Sequence, residues 1–457
     1  MAFHYHHIDK WLCANLDLVE EALESKPKAI VVIGGASSSG KSFCAKQLKD
    51  YLSHHRHRAL ILSLDQYDYG LSGIIPNKVQ ENFFKAPIPH LQEIEAKIKE
   101  VIYNVPFDKK FDEPTLDKLA PLLRPYFEKE NDFLTFMKAL PIEWKRVNFD
   151  EPSVYNLKEA AQDIALLSKD GKCEEKIYSK VVSERLPSSN ILNGRKYDTI
   201  IVEGIYALSP SFLNELGDKE SAIKNFVDGN PKSLFLRRIL RDEKMTSADS
   251  AFTMNIYFRY IVKSYEETIL PNKKNADVVF DNEMSFEEMH SGDLYTTKSE
   301  VVFENPSKGD KLLKASKILS ETYQRDYFFR VPGEEEKSEN VLRLRLLSKD
   351  QGKTYLPSSI VHKGIPKVRK DHKIIRPINV LLKEGDFSKV FASTEECLTS
   401  FEKAGFIVSA PVDKRKLKIL FDSTPYTVRY IHNKVYIEFD DEKAEKKLLA
   451  FFSAQDK

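Results

Sequence analysis

Apolar positions in the first 280 residues alternate between two periods. Helical spacing at Leu12, Leu16, Val19 and Leu23 predicts an amphipathic helix over about Ile8 to Ser25. Ala29–Ile33 is an unbroken apolar run of strand length, Cys44, Leu48 and Leu52 return to helical spacing, and Ala59–Leu64 is a second strand-like run ending in Asp65. Strand, helix, strand implies a right-handed crossover and a parallel sheet whose ligands sit at the carboxyl ends of the strands. Further buried strands at Tyr197–Gly204 and Asn225–Asp228, a helix carrying Arg237, Arg238 and Arg241, a long helix from about Ser250 to Ile269 and a short strand at Ala276–Phe280 complete an α/β fold with helices on both faces of the sheet. Between them, Tyr69 to Trp144 is rich in charge, proline and aromatic residues. Leu91–Val101 and Leu116–Leu140 read as helices there, no strand pattern appears, and the stretch is expected to be a helical insertion. A turn at Val147–Pro152 and a helix from about Ser153 to Lys169 follow.

From about His290, past the turn Ser291-Gly292-Asp293, the period becomes two. Strands are predicted at Glu300–Phe303, Asp326–Val331, Val341–Leu347, Ile374–Leu381, Lys416–Phe421, Thr427–Ile431 and Lys434–Phe439, with helices at Leu312–Tyr323, Thr394–Lys403 and Glu442–Phe452. This reads as an antiparallel, barrel-like α+β domain. The expected organisation is an N-terminal helix over 1–27, an α/β domain over 28–290 with its insertion at 69–144, and an α+β domain over 291–457. Two or three domains also suit a chain of 457 residues.

Charge narrows the partners. Seventy Lys and Arg against 69 Asp and Glu leave no global field to draw the chain to nucleic acid or an anionic membrane, so neither is expected as a partner. Four cysteines without a C-x-x-C pair argue against a zinc site or disulfide framework, and no window approaches 18 uncharged apolar residues. A soluble, cytoplasmic protein is expected, and homo-oligomerisation is compatible with the sequence. His4, His6 and His7 with Asp9 read as a solvated start rather than a metal site.

The strongest chemical signal is Gly35-Ala36-Ser37-Ser38-Ser39-Gly40-Lys41-Ser42, which matches G-x-x-x-x-G-K-[ST] between a strand and a helix. Backbone N–H groups of such a P-loop cradle a polyphosphate such as that of ATP, Lys41 reaches the outer phosphates, and Ser42 is placed for Mg²⁺. Glu203, at a strand end, suits a Mg²⁺-bound water or the orientation of a nucleophile; an acidic strand cap is the alternative. Arg237, Arg238 and Arg241 at i, i+1 and i+4 suit a phosphoryl clamp or a solvated basic face. In the last third, alternation puts Arg343 with Arg345, Lys416 with Lys418, and Glu438 with Asp440 on shared strand faces. Pointing inward, they would form a tunnel for a polyphosphate and metal; pointing outward, an ordinary surface.

GGASSSGKS, SLDQYD at Ser63–Asp68, NFDEP at Asn148–Pro152, IIVEGIYAL at Ile200–Leu208, FVD at Phe226–Asp228, LRRILRD at Leu236–Asp242 and LPNKKNADVV at Leu270–Val279 occur in the order found in the uridine kinase family, so residues 28–281 resemble that family. The resemblance implies Mg²⁺-dependent transfer of the ATP γ-phosphoryl group to the 5′-hydroxyl of a pyrimidine nucleoside. It implies that Lys41 and Ser42 hold phosphate and Mg²⁺, Asp65 is the general base, and Glu203 lies beside the metal. Asp150 would grip ribose hydroxyls, Tyr178 would lie beside the base, and Arg238 and Arg241 would begin a basic lid. Three places depart from the family's pattern. Ser183 stands for a histidine, Ile256 for a glutamine that reads the pyrimidine, and Met245-Thr246-Ser247-Ala248 for further lid arginines. The departures fall on the acceptor and lid side, which leaves the phosphate residues intact.

DYFFRVPG, VLRLRLL and VRYIHNKVYIEFDD in the last third resemble the CYTH, or triphosphate-tunnel, domain, although its early E-x-E-x-K strand has no clean counterpart in Glu300–Lys308. Three functions follow as expectations. The first is an ATP-dependent kinase acting on a nucleoside or another small-molecule alcohol. The second is a triphosphate or pyrophosphate hydrolase working through the last domain. The third is a nucleotide-binding regulatory protein without transfer.

Overall fold

A computed structural model describes residues 2–216, 222–246, 249–285, 288, 293–296, 299–335, 340–365, 367–368 and 374–455. The chain forms two compact units, Met1–Asp249 with Ile256–Glu283, and Ser250–Asn255 with Met284–Lys457. Among the described residues no helix is long and apolar enough to cross a membrane.

The strands of the first unit are β1 (Phe3–Tyr5), β2 (Ala29–Gly35), β3 (Ala59–Ser63), β4 (Lys172–Glu174), β5 (Ile177–Ser179), β6 (Glu184–Leu186), β7 (Ile191–Asn193), β8 (Thr199–Glu203), β9 (Ile223–Asp228) and β10 (Val278–Asp281). Six of them make one parallel sheet in the order β1-β10-β9-β2-β8-β3, while β4 pairs with β7 and β5 with β6 as small antiparallel ribbons. β2 and β8 are apolar almost without interruption because both faces of the sheet are covered. Trp11, Leu16 and Val19 of the helix Ile8–Ser25 and Cys44, Leu48 and Leu52 of the helix Lys41–His54 close one side. Ala160, Ile164 and Leu167 of the helix Leu157–Ser168, with Phe212, close the other. Asn225 is fully buried in β9 but satisfied: Trp11 Nε1 donates to its Oδ1 at 2.8 Å, Asn15 Nδ2 donates to the same oxygen at 3.0 Å, and its own Nδ2 donates to Asn15 Oδ1 at 2.8 Å.

The observed elements differ from the expected ones in a few places. The start of the chain is not merely solvated, since β1 adds to the sheet beside β10, and three residues are too few to show a period. The insertion contains four helices, Leu71–Phe83, Leu91–Ile102, Glu113–Leu123 and Glu130–Arg146. The first was hidden by Gly73 and Pro76, and Pro125 divides the single helix expected over Leu116–Leu140 into two. The long helix toward Ile269 includes two π-helical turns, Tyr257–Ile261 and Tyr265–Ile269.

The second unit is built on β11 (Asp293–Thr296), β12 (Ser299–Phe303), β13 (Lys317–Arg330), β14 (Val341–Ser348), β15 (Leu356–Lys363), β16 (Lys367–Val368), β17 (Ile374–Leu382), β18 (Ile407–Val408), β19 (Val412–Phe421), β20 (Thr424–Ile431) and β21 (Lys434–Phe439). They form an antiparallel sheet in the order β11-β17-β15-β14-β13-β19-β20-β21-β12, with β16 on β17 and β18 on β13. The helix expected over Leu312–Tyr323 is corrected: the helix spans Ser307–Lys314, and from Lys317 the chain pairs with β19 as the 14-residue strand β13. Helices Thr394–Lys403 and Glu442–Gln455 form where expected. The turn at Ser291-Gly292 lies outside the described residues.

One face of this sheet carries Leu417, Ile419, Val428 and Ile437 and packs against Leu312, Leu448 and Phe452. Register puts Asp326, Arg345, Lys414, Lys416, Thr427, Glu438 and Glu300 together on the opposite face. Asp326 is fully buried there and accepts from Arg343 at 3.1 Å, Arg345 at 2.8 Å and Lys414 at 2.8 Å. Burial alone would raise its carboxyl, but these cations hold it well below the usual carboxylate range. Lys418 is exposed, and Asp440 lies beyond the end of β21.

Candidate active site

The P-loop joins β2 to the helix Lys41–His54 at the carboxyl edge of the parallel sheet. Two glycines are required by its shape. Gly35 has φ +143°, and a Cβ there would lie 2.0 Å from the Val227 carbonyl oxygen; Gly40 has φ +95°, and a Cβ there would lie 2.3 Å from Asn282 Nδ2. Asn282 Nδ2 donates to the Ser39 carbonyl at 2.6 Å, tying the segment after β10 to the loop. Lys41 is buried and donates to the Ala36 carbonyl at 2.7 Å; burial lowers its pKa while the carboxylates of Glu203, Asp65 and Asp150 oppose that shift. The hydroxyls of Ser38 and Ser39 are buried and have no hydrogen-bond partner among the described residues. Such orphaned donors in a P-loop at a helix N-terminus fit an incoming polyphosphate.

Around this loop the fold gathers residues distant in sequence. Ser42 Oγ donates to Glu203 Oε1 at 3.0 Å, and Glu203 is 4% exposed at the end of β8. Burial and then the Asp65 charge push its carboxyl upward, and the Ser63 and Ser42 side chains and Lys41 oppose them. A hydroxyl beside a carboxylate is a hard oxygen pair that suits Mg²⁺ carried in with a nucleotide, so Ser42 and Glu203 are the residues that would hold it. Arg238 Nη1 donates to Ser37 Oγ at 2.8 Å and lies 3.9 Å from Asp150 Oδ1, while Asp242 accepts from Arg238 Nε at 2.6 Å and from Arg241 Nε at 2.9 Å. Arg237 faces elsewhere and donates to the carbonyls of Asn282 and Glu283, so the three arginines do not form one clamp.

Asp65 sits just past β3 in the short 3-10 turn Leu64–Tyr67, 2.7 Å from Lys180 Nζ. Burial tends to raise its carboxyl, and Lys180, then Lys41 and Arg241, outweigh that and hold it below its ordinary value. Asp150 is 4% exposed, and its Oδ2 has no hydrogen-bond partner among the described residues. Its loop is pinned by Tyr206 Oη donating to the Asp150 carbonyl, by Asn148 Oδ1 accepting from the Asp150 amide at 3.0 Å, and by Asn148 Nδ2 donating to Ser264 Oγ at 2.8 Å. Tyr178, in β5, and Tyr155 complete the wall; burial raises both phenols well above their usual range, and the charges of Asp68 and Asp65 add to the effect at Tyr178.

Ser183 is buried at φ +54°, and its hydroxyl lies 3.4 Å from the Lys180 carbonyl and within hydrogen-bonding reach of the Tyr178 side chain. Ile256 is half-buried at the end of the helix Ser250–Ile256. Ser247 and Ala248 lie outside the described residues. Lys180, Tyr155 and Asn282 escaped sequence reasoning, because single residues in turns carry no spacing signal.

Residues 129–286 match the model of the phosphoribulokinase/uridine kinase family. The match begins past the P-loop and includes Asp150, Tyr178, Glu203, Arg238 and Arg241. The uridine kinase of Staphylococcus epidermidis is 28% identical over 161 residues, 35% of this chain and 72% of that protein. That of Macrococcus caseolyticus is 29% identical over 161 residues, covering 35% and 73%. A solved structure described as a "Possible Uridine Kinase" from Bacillus stearothermophilus overlaps 60% of this chain and 97% of its own at 13% identity, with a TM-score of 0.31. The first unit of this chain is thus similar in sequence to kinases and carries their phosphate-binding loop.

Proposed function

We propose that the first unit is an ATP-dependent kinase that transfers the γ-phosphoryl group to a hydroxyl of a small-molecule acceptor. The observation that carries this reading is the convergence of Asp65, Glu203 and Arg238 on one P-loop from three separate strand ends and helices. Lys41 and Arg238 neutralise phosphate oxygens, and Asp65 accepts the proton of the attacking hydroxyl as its oxygen–phosphorus bond forms and the bridging bond to ADP breaks. Mg²⁺ would supply charge neutralisation on the nucleotide's phosphates. Such chemistry needs positioning and charge more than an unusual base, which suits an Asp65 carboxyl held ionised.

The unpartnered Asp150 Oδ2 supports an acceptor that brings hydroxyl donors to this wall. A nucleoside, the substrate class in the relatives' names, falls within that description. The test is ADP release measured with Mg²⁺ and ATP against a panel of nucleosides, sugars and hydroxy acids. Acceptor-dependent release that disappears in Asp65→Asn is expected. Tight ATP binding with no transfer to any acceptor would favour a regulatory nucleotide-binding role instead.

For the second unit we infer a structural role over hydrolysis of a triphosphate. The support is Asp326, which already takes up Arg343, Arg345 and Lys414 as partners. Phosphate release from triphosphate or pyrophosphate that survives Asp65→Asn and is lost in Arg345→Ala would reverse this.

A further inference from the structure

The acceptor side of the P-loop carries one ion pair that phosphoryl transfer does not require. Lys180 lies on the turn joining β5 to β6, its Nζ 2.7 Å from Asp65 Oδ2, with its side chain 43% exposed and that of Asp65 31% exposed. To give its proton to Asp65, an acceptor hydroxyl has to come within about 3 Å of that carboxylate. Any acceptor therefore arrives against the Lys180 ammonium as well. While the ammonium stays in place, it occupies one carboxylate oxygen and weakens the base.

Neighbouring cations are committed in other ways. Arg185, on the same ribbon, donates to the Asp68 and Tyr67 carbonyls at 2.7 and 2.8 Å and to Glu159 Oε2 at 3.0 Å. Arg238 and Arg241 are held by Asp242. Lys180 instead has its charge partner inside the reaction site, on a flexible four-carbon stem that can swing away. Two demands thus fall on the acceptor: hydroxyl donors for the orphaned Asp150 Oδ2, and a negative charge for the ammonium that must leave Asp65. A neutral nucleoside meets only the first.

Building on the kinase reading above, we propose that Lys180 is a specificity-determining residue selecting polyhydroxylated acceptors that carry a carboxylate or phosphate beside the hydroxyl to be phosphorylated. The acceptor's anion draws the ammonium off Asp65 and frees the base, and the transfer then proceeds with the proton passing to Asp65 and ADP leaving.

The test uses the full chain with Mg²⁺ and a non-hydrolysable ATP analogue, titrated calorimetrically with two matched pairs, glycerol and glycerate, ribose and ribose 5-phosphate, and with uridine. An anionic member is expected to bind about tenfold or more tighter than its neutral partner. The glycerate arm reads a carboxylate and the ribose 5-phosphate arm a phosphate. Lys180→Met, which keeps the stem and removes the charge at a half-exposed position, should erase the preference, and Lys180→Arg should restore it. Uridine binding tighter than both anions, no preference within either pair, or a preference retained in Lys180→Met would overturn the proposal. Binding is read without turnover, so these outcomes stand apart from failure of the kinase reading, which would show as no ADP release with any acceptor.

Discussion

Ser42 Oγ and Glu203 Oε1 are joined by a 3.0 Å hydrogen bond that spans 161 residues of chain. On the kinase reading proposed above, this pair is where a divalent ion carried by ATP would meet the protein. Glu203→Gln keeps the shape and removes the charge, so the MgCl₂ concentration for half-maximal ADP release should rise by about tenfold or more. An unchanged Mg²⁺ titration would show that Glu203 is only an acidic cap on β8.

Asp65→Asn should lower kcat by about 10²- to 10⁴-fold with little change in KM for ATP, the loss expected of a missing general base. The sign of the pH dependence follows from its surroundings. Lys180 and Lys41 hold the Asp65 carboxyl below its ordinary value in the free protein. Once an acceptor has drawn Lys180 away, Lys41 still opposes protonation of a carboxyl that ordinarily titrates at about pH 4, so kcat should stay level from pH 8 down to about 5. A fall setting in near neutrality would point to Asp68 instead, whose carboxyl burial pushes up to about 7.

Arg238→Lys keeps a charge but loses the fork that reaches both Ser37 and Asp242. Steady-state kinetics should show kcat reduced by about 10³-fold in Arg238→Ala and by less in Arg238→Lys. Equal and small effects in both would place Arg238 in a structural ion pair alone.

Asp326→Asn leaves Arg343, Arg345 and Lys414 without their shared counter-charge, a loss of about 3–5 kcal/mol. Thermal unfolding followed by circular dichroism should show a lowered transition. The folded carboxyl titrates below its unfolded value, so its stabilisation is present above about pH 4 and is lost as pH falls toward the folded value. The wild-type transition should therefore drop in acid more steeply than that of Asp326→Asn.

Much of the first unit was legible because its strands are buried on both faces. β2, β3 and β8 stand out as apolar runs, and Asp65 and Glu203 follow them directly at the strand ends where a parallel sheet places ligands. β1 was not legible, since three residues have no measurable period. Over Lys317–Tyr323 the sequence reads as the end of a helix that begins at Leu312, and pairing of Lys317–Asp326 with β19 makes it strand, leaving Leu312 in the shorter helix Ser307–Lys314. The P-loop could be read because its chemistry demands a fixed spacing. Lys180 could not, because a lysine in a turn is defined only by the carboxylate that the fold brings to it.

The π-helical turns Tyr257–Ile261 and Tyr265–Ile269 set a phase. A π turn holds a residue more than an α turn, so the helix could absorb a one-residue deletion within Tyr257–Ile261 without breaking. A deletion from an α-helical turn would rotate everything after it by about 100°, but one taken up by the π turn leaves the rest of the helix nearly in phase. Ser264 would stay beside Asn148, which steadies the Asp150 loop, and Tyr265 beside Asp228, to which it donates at 3.0 Å. In this helix, then, the place of a length change decides its effect: a residue lost from the π turn would leave both anchors in register, and the acceptor wall would keep its support.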